Sequence, residues 1–286
     1  MLHHHLSGPP EAPPLVLGPS LGTSAAVWEP VLASLSRRFR VLRFDLPGHG
    51  GSAADLLPAT GPGRTTVADL AALVLAVADH HGWQRFHYAG ISLGGAVGAL
   101  LAARHGRRVA SLALVCSSAR FGPPEPWYER AELVRRRGTA PLLATSPGRW
   151  FAAPSTAGTP FGRTPFGRTL LDALAAADPA GYAACCDAIA RYDLRPELAG
   201  ITVPTLVVGG RHDTATPLAH AEELAAGIPY ASLTVLDCGH LAVERPLELA
   251  DALTAHLLAV PAPDGAAPAR DGAVPAPGGG RLPLPD

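Results

Sequence analysis

Short apolar runs alternate with longer amphipathic stretches along most of the chain. LVL at Leu15, RVLRFDL at Arg40, RFHYAG at Arg85, VASLALVC at Val109, TLVVGG at Thr205 and SLTVLD at Ser232 read as strands. Helix-like sequence separates them, and that alternation predicts a mostly parallel sheet with helices on both faces. The helices carry their own punctuation. Thr66 precedes VADLAALVLAVADHHG, with Asp69 three residues on and Gly82 closing the run; Pro246 opens PLELADALTAHLLA, where a missing amide matters little.

Between Arg120 and Gly200 the strand rhythm stops, and WYERAELVRRRG, LLDALAAADPA and YAACCDAIARYD read as helices. Helices inserted into a regular α/β chain cannot join the sheet. They are expected as a cap, 120–200, over the strand ends where ligands bind, with the α/β core formed by 14–119 and 201–259. The tandem PFGRTPFGRT from Pro160 to Thr169 is one local duplication, too short for a solenoid, and reads as an enlarged cap loop. Residues 1–13 are expected as a disordered leader. The Pro-, Ala- and Gly-rich text of 260–286 reads as a disordered tail or linker, because it has too few apolar side chains to offset ordering.

Composition narrows the partner. The chain has 286 residues, 48% of them hydrophobic, enough for one large core. A net charge of -1 provides no field for steering toward nucleic acid, so a small-molecule partner is expected. Polar residues interrupt every apolar run before the roughly 20 residues a bilayer requires, and no secretion signal opens the sequence. Cys116, Cys185, Cys186 and Cys238 have neither zinc-site spacing nor a disulfide framework; they suit a cytoplasmic location, with the vicinal pair read as small apolar fillers.

The chemistry centres on GISLG, a G-x-S-x-G elbow that places Ser92 on a strained turn from strand to helix. A serine hydroxyl needs a base, and the base an orienter. TLVVGGRHDTATP places Asp213 in the loop after one strand, and SLTVLDCGHLAVERP places His240 after the next, in the Ser, Asp, His order this architecture uses. His212 and Asp237 are the lower-ranked rivals. Amides of Leu93 and, from the loop LGPSLGTS, Leu21 are the candidate oxyanion donors. DLPGHGGS lacks the order of a phosphate loop and reads as a turn before a helix, and His80 and His81 sit at a helix end rather than in a metal site.

Together LGTSAAVWEPVL, FDLPGHGGS, GISLGG, HDTATP and GHLAVERP resemble the α/β-hydrolase superfamily. The cap phrases WYERAELVRRRG, GRWF and GYAACCDAIARYDLRP are similar to the 3-oxoadipate enol-lactonase family, over about Leu15 to Ala259. That resemblance implies an α/β-hydrolase fold and opening of an acidic enol-lactone through an acyl-enzyme, without metal or cofactor, in the catabolism of aromatic compounds. A broader carboxylesterase or cofactor-free haloperoxidase-like hydrolase, and a receptor that binds without turnover, are the alternative readings. The free carboxylate of such a lactone needs a cation, for which Arg130 and Arg149, beside Trp127 and Trp150, are the candidates. In some actinobacterial members the lactonase is fused to a carboxymuconolactone decarboxylase, and the tail resembles such a junction. The chain departs from the family at Pro19, where a polar residue is expected, and in the duplicated PFGRT.

Overall fold

Seven strands form one sheet: β1 (His4–Ser7), β2 (Pro14–Gly18), β3 (Arg40–Phe44), β4 (Phe86–Ile91), β5 (Val109–Val115), β6 (Thr205–Gly210) and β7 (Ala231–Leu236), in the order β1-β3-β2-β4-β5-β6-β7. The computed structural model describes residues 1–57, 61–152 and 161–260. All neighbours pair in parallel except β1 and β3. Strands β2, β4, β5 and β6 are buried at every position, which is why they read as continuous apolar runs.

The connecting helices are α1 (Glu29–Leu35), α2 (Val67–His80), α3 (Leu93–Arg104), α8 (Leu218–Gly227) and α9 (Pro246–Leu258). The chain moves one way along the sheet from β2 to β3 and the other way from β3 through β4 to β7. With right-handed crossovers, α1 therefore lies on the opposite face from α2, α3 and α8. Helix α9 packs on α1, and α2 packs on α3. Thr66 caps α2 through a reciprocal pair with Asp69, the arrangement its spacing predicts. The reversal of direction falls between β2 and β4. A crevice at such a point, outside the carboxyl ends of the strands, is where this architecture binds ligands.

Between β5 and β6 lie α4 (Glu125–Arg137), α5 (Ser146–Trp150), α6 (Pro165–Ala176) and α7 (Pro179–Ala190), with no strand among the described residues. Helix α4 packs along α7, where Arg135 pairs with the fully buried Asp187. Helix α7 is buried on nearly all sides, so small side chains, Cys185 and Cys186 among them, fill it. At one corner α7 meets the turn after β3 so closely that a Cβ built on Gly48 would come within 2.6 Å of the Gly181 Cα. The Asp178 amide also donates to the Gly48 carbonyl at 2.8 Å.

Two expectations are corrected. Residues 1–13 are not a disordered leader throughout, because His4–Ser7 pairs antiparallel with β3 and Leu2 is buried. The physical reason is the outer edge of β3, whose backbone groups would otherwise lack partners. His3 adds to the docking, its ring 2.7 Å from Asp45 and its amide donating to Ser52 Oγ at 2.8 Å. The duplicated PFGRT is not simply a loop. Its first copy turns at Phe161–Arg163, and its second opens α6, with Thr164 accepting from the Gly167 amide and Pro165 in the first turn. Pro160, like the tail from 261 onward, lies outside the described residues.

Candidate active site

Ser92 follows β4 and precedes α3 with φ 55 and ψ -116, a left-handed conformation that a side chain rarely adopts. The turn is held by its own amide donating to the Val115 carbonyl and by Ser117 Oγ donating to the Ser92 carbonyl. Only glycine fits on either side: a Cβ on Gly90 would meet the Gly94 carbonyl at 2.3 Å, and one on Gly94 would meet the Gly18 carbonyl at 2.4 Å. Ser92 is thereby pushed to the end of the sheet, with the start of α3 beneath it.

Asp213 and His240 arrive from the ends of β6 and β7. His240 Nδ1 lies 2.8 Å from Asp213 Oδ2, and both side chains are buried. The other carboxylate oxygen accepts from the Ala215 and Thr216 amides at 2.7 and 2.9 Å, while Thr216 Oγ1 donates to Oδ2 at 2.6 Å. Burial alone would push the Asp213 carboxyl up. His240 and the Thr216 donors outweigh it and hold the group below its ordinary value. A carboxylate so satisfied fixes the ring with its proton on Nδ1 and leaves Nε2 for the cavity. Ser92 and His240 line the same cavity. The rivals do not: His212 and Asp237 pair with each other at 2.8 Å on the exposed surface.

The loop after β2 brings Leu21 to the cavity. The Pro19 carbonyl accepts from the Gly94 amide at 3.1 Å, tying that loop to the elbow. Neither the Leu21 nor the Leu93 amide has an acceptor among the described residues. Two unpaired donors, one from each side of the topological reversal, therefore flank Ser92.

Trp127, Arg130, Arg149 and Trp150, the four cap residues expected to meet a substrate, line this cavity together. Arg130 stands over the Trp127 ring with its Cζ 5.0 Å from the centroid. The Arg149 guanidinium is pushed below its ordinary range by burial and then by the neighbouring Arg130. Among the described residues neither arginine forms a salt bridge. Two neighbouring cations without a carboxylate partner among the described residues, in a pocket that mixes hydroxyl and aromatic side chains, favour an anionic ligand.

Sequence reasoning missed several participants. Tyr182 and Phe121 line the cavity, and the Tyr182 hydroxyl, raised by burial, lies beside Arg130. Glu244 accepts from the Gly239 amide at 2.7 Å and the Ala152 amide at 3.1 Å, joining the His240 loop to the cap, and the Leu241 amide donates to the Trp150 carbonyl at 2.9 Å. The GHLAVERP phrase contained Glu244, but nothing local signals that its partner is Ala152. No group of three or more His, Cys, Asp or Glu among the described residues is placed to hold a metal ion.

Comparison with known proteins bears on the family and the fold. A family model described as the alpha/beta hydrolase family matches residues 15–252. The 3-oxoadipate enol-lactonase 2 of Acinetobacter baylyi is 32% identical over 246 residues, 86% of this chain and 88% of that protein. A putative carbamate hydrolase of Stutzerimonas stutzeri is 31% identical, over 83% of this chain and 89% of that one. The crystal structure of the enol-lactonase from Burkholderia xenovorans superposes with a TM-score of 0.83 at 37% identity, covering 90% of this chain and 96% of the other.

Proposed function

The chain belongs to the alpha/beta hydrolase family, and from that premise we propose that it hydrolyses 3-oxoadipate enol-lactone to 3-oxoadipate in the breakdown of aromatic compounds. The observation that carries the reading is the pair Arg130 and Arg149, without salt-bridge partners among the described residues and set beside Ser92 under the cap. The similarity to enol-lactonases supports the same substrate class.

In this mechanism Ser92 Oγ attacks the lactone carbonyl and gives its proton to His240 Nε2. The oxyanion rests on the Leu21 and Leu93 amides, and Asp213 stabilises the imidazolium. Cleavage of the acyl–oxygen bond releases the ring oxygen, which takes the proton from His240 and leaves as an enol that tautomerises to the ketone. The product stays attached as an ester of Ser92. His240 then activates water to hydrolyse that ester and restore the serine. The substrate carboxylate pairs with Arg149 and Arg130 throughout.

The test compares kcat/KM for the acidic enol-lactone and for a neutral aryl ester of similar size. Ser92→Ala is expected to lower kcat at least about 10⁴-fold on both while the far-UV circular dichroism is unchanged. Arg149→Met is expected to lose about 100-fold in kcat/KM on the lactone and little on the ester, the scale of one charge-assisted hydrogen bond. Full turnover in the serine variant rejects the mechanism. A wild-type preference for the neutral ester moves the assignment to a broader carboxylesterase. Hydrolysis of carbamates is a second reading, favoured by the likeness to the Stutzerimonas protein, and a carbamate belongs in the same substrate panel.

A further inference from the structure

The turn after β3, DLPGHGGS, has no part in the mechanism above, yet it buries a histidine against the loop that carries Leu21. His49 is 1% exposed. Its Nδ1 lies 3.0 Å from the Pro47 carbonyl, and its Nε2 lies 3.1 Å from the Gly22 amide. A carbonyl can only accept and an amide N–H can only donate. One state of the ring satisfies both contacts: neutral, with the proton on Nδ1 and a lone pair on Nε2. Burial disfavours the charged ring, in keeping with that state. The ring is also held sterically, stacked on Tyr182 of α7 with centroids 5.7 Å apart and planes inclined by 28°.

We propose that His49 is a positioning residue for acyl transfer, holding the Gly22 amide so that the adjacent Leu21 amide faces the oxyanion. The proposal rests on the reading of Ser92 as nucleophile. The rest of the loop is tied by the Gly94 amide to the Pro19 carbonyl, by the Thr23 amide and hydroxyl to the Ser20 carbonyl at 3.1 and 2.8 Å, and by the Ala25 amide to Asp45 Oδ1 at 2.6 Å. His49 ties the peptide between Leu21 and Gly22, the unit next to the one that carries the Leu21 amide. Gly22 has φ +82, where a Cβ would also approach Leu174 at 2.9 Å, so the backbone there has few other arrangements. With the Nε2 acceptor gone, the Gly22 amide is left buried without a partner and the peptide planes on either side can rotate to find one. The Leu21 amide then points away from the developing charge. An interaction used only in the transition state is lost, so kcat falls while KM holds.

The test exchanges one acceptor position for the other. The carbonyl of His49→Gln reaches the place of Nε2; that of the shorter His49→Asn reaches only the place of Nδ1. Rates are measured with a neutral aryl ester per Ser92 titrated by a fluorophosphonate, alongside Ser92→Ala, and affinity is measured for a boronic acid that adds to the serine as a tetrahedral anion. The expected result is kcat lower by about 10- to 100-fold in His49→Asn, part of the 10²- to 10³-fold range for complete loss of one oxyanion donor. KM should stay within about threefold, boronate affinity should fall with kcat, and His49→Gln should recover about tenfold of the loss. Wild-type kcat in His49→Asn, equal rates in the two variants, or a loss confined to KM overturns the proposal. Those outcomes leave the nucleophile assignment standing, whereas undiminished turnover in Ser92→Ala would remove both. Because the aryl ester carries no carboxylate, the result does not depend on which lactone is the substrate.

Discussion

Thr216 Oγ1 lies 2.6 Å from Asp213 Oδ2 and 3.3 Å from His240 Nδ1, so one hydroxyl helps hold both members of the pair in register. Replacing it with the isosteric valine removes a hydrogen bond to a buried carboxylate and leaves the amide contacts in place. Thr216→Val is expected to lower kcat by about tenfold with KM nearly constant, because the lost bond is stronger once His240 is charged in the transition state. Steady-state kinetics on an aryl ester check it. The positions of Ser92, Asp213 and His240 were legible because each follows a strand in a fixed order, and the glycines around the elbow declare a turn that admits no Cβ. Thr216, His49 and Tyr182 were not legible. The contacts of His49 and Tyr182 run to Gly22 and Arg130 across the fold, and neither side chain carries a mark of such a partner; Thr216 is only three residues from Asp213, but a threonine in a turn does not declare that its hydroxyl folds back on the carboxylate.

At the scale of elements, the joint between the cap and the His240 loop depends on one carboxylate. Glu244 follows β7 in a short turn, Ala242–Glu244, and accepts backbone amides from both sides of the joint. Its burial raises the carboxyl above its ordinary value, and the amides of Gly239 and Ala152 offset part of that rise. In Glu244→Gln the side chain can present its oxygen to these amides but loses the charge. Because burial costs the charge more than these amides return, that change is expected to shift urea unfolding by less than about 0.5 kcal/mol, whereas Glu244→Ala, which leaves both amides without an acceptor, is expected to lose about 2 kcal/mol. Strands β2 to β6 were legible as apolar runs because both of their faces are covered or nearly so, β7 at the sheet edge is mostly half-buried or exposed and showed only in SLTVLD, and Thr66 and Pro246 announced their helices. Strand β1 was not. HHLS has no apolar alternation, and its place comes from the vacant edge of β3 rather than from its own pattern.

The molecule as a whole has a built-in acid limit. His87 on β4 is 1% exposed, with Nδ1 2.8 Å from Ser111 Oγ, and burial lowers its pKa to about 4. The folded state keeps this ring neutral, while the unfolded chain protonates it near pH 6.5. Between those values the unfolded state binds more protons, so stability present above about pH 6.5 is lost as the pH falls toward 4. Unfolding free energy is expected to drop by about 2 kcal/mol between pH 7.5 and 5 from this residue. His87→Asn, which keeps a donor for Ser111, should remove that increment in paired urea titrations; an unchanged pH slope would show that the ring is not the source. The contact of Gly48 with Gly181 has a different reach. Backbone touches backbone there, so that corner acts as a rivet through which no side chain can be threaded. Room for a bulkier group under the helices has to come instead from lining side chains such as Phe121 and Trp127.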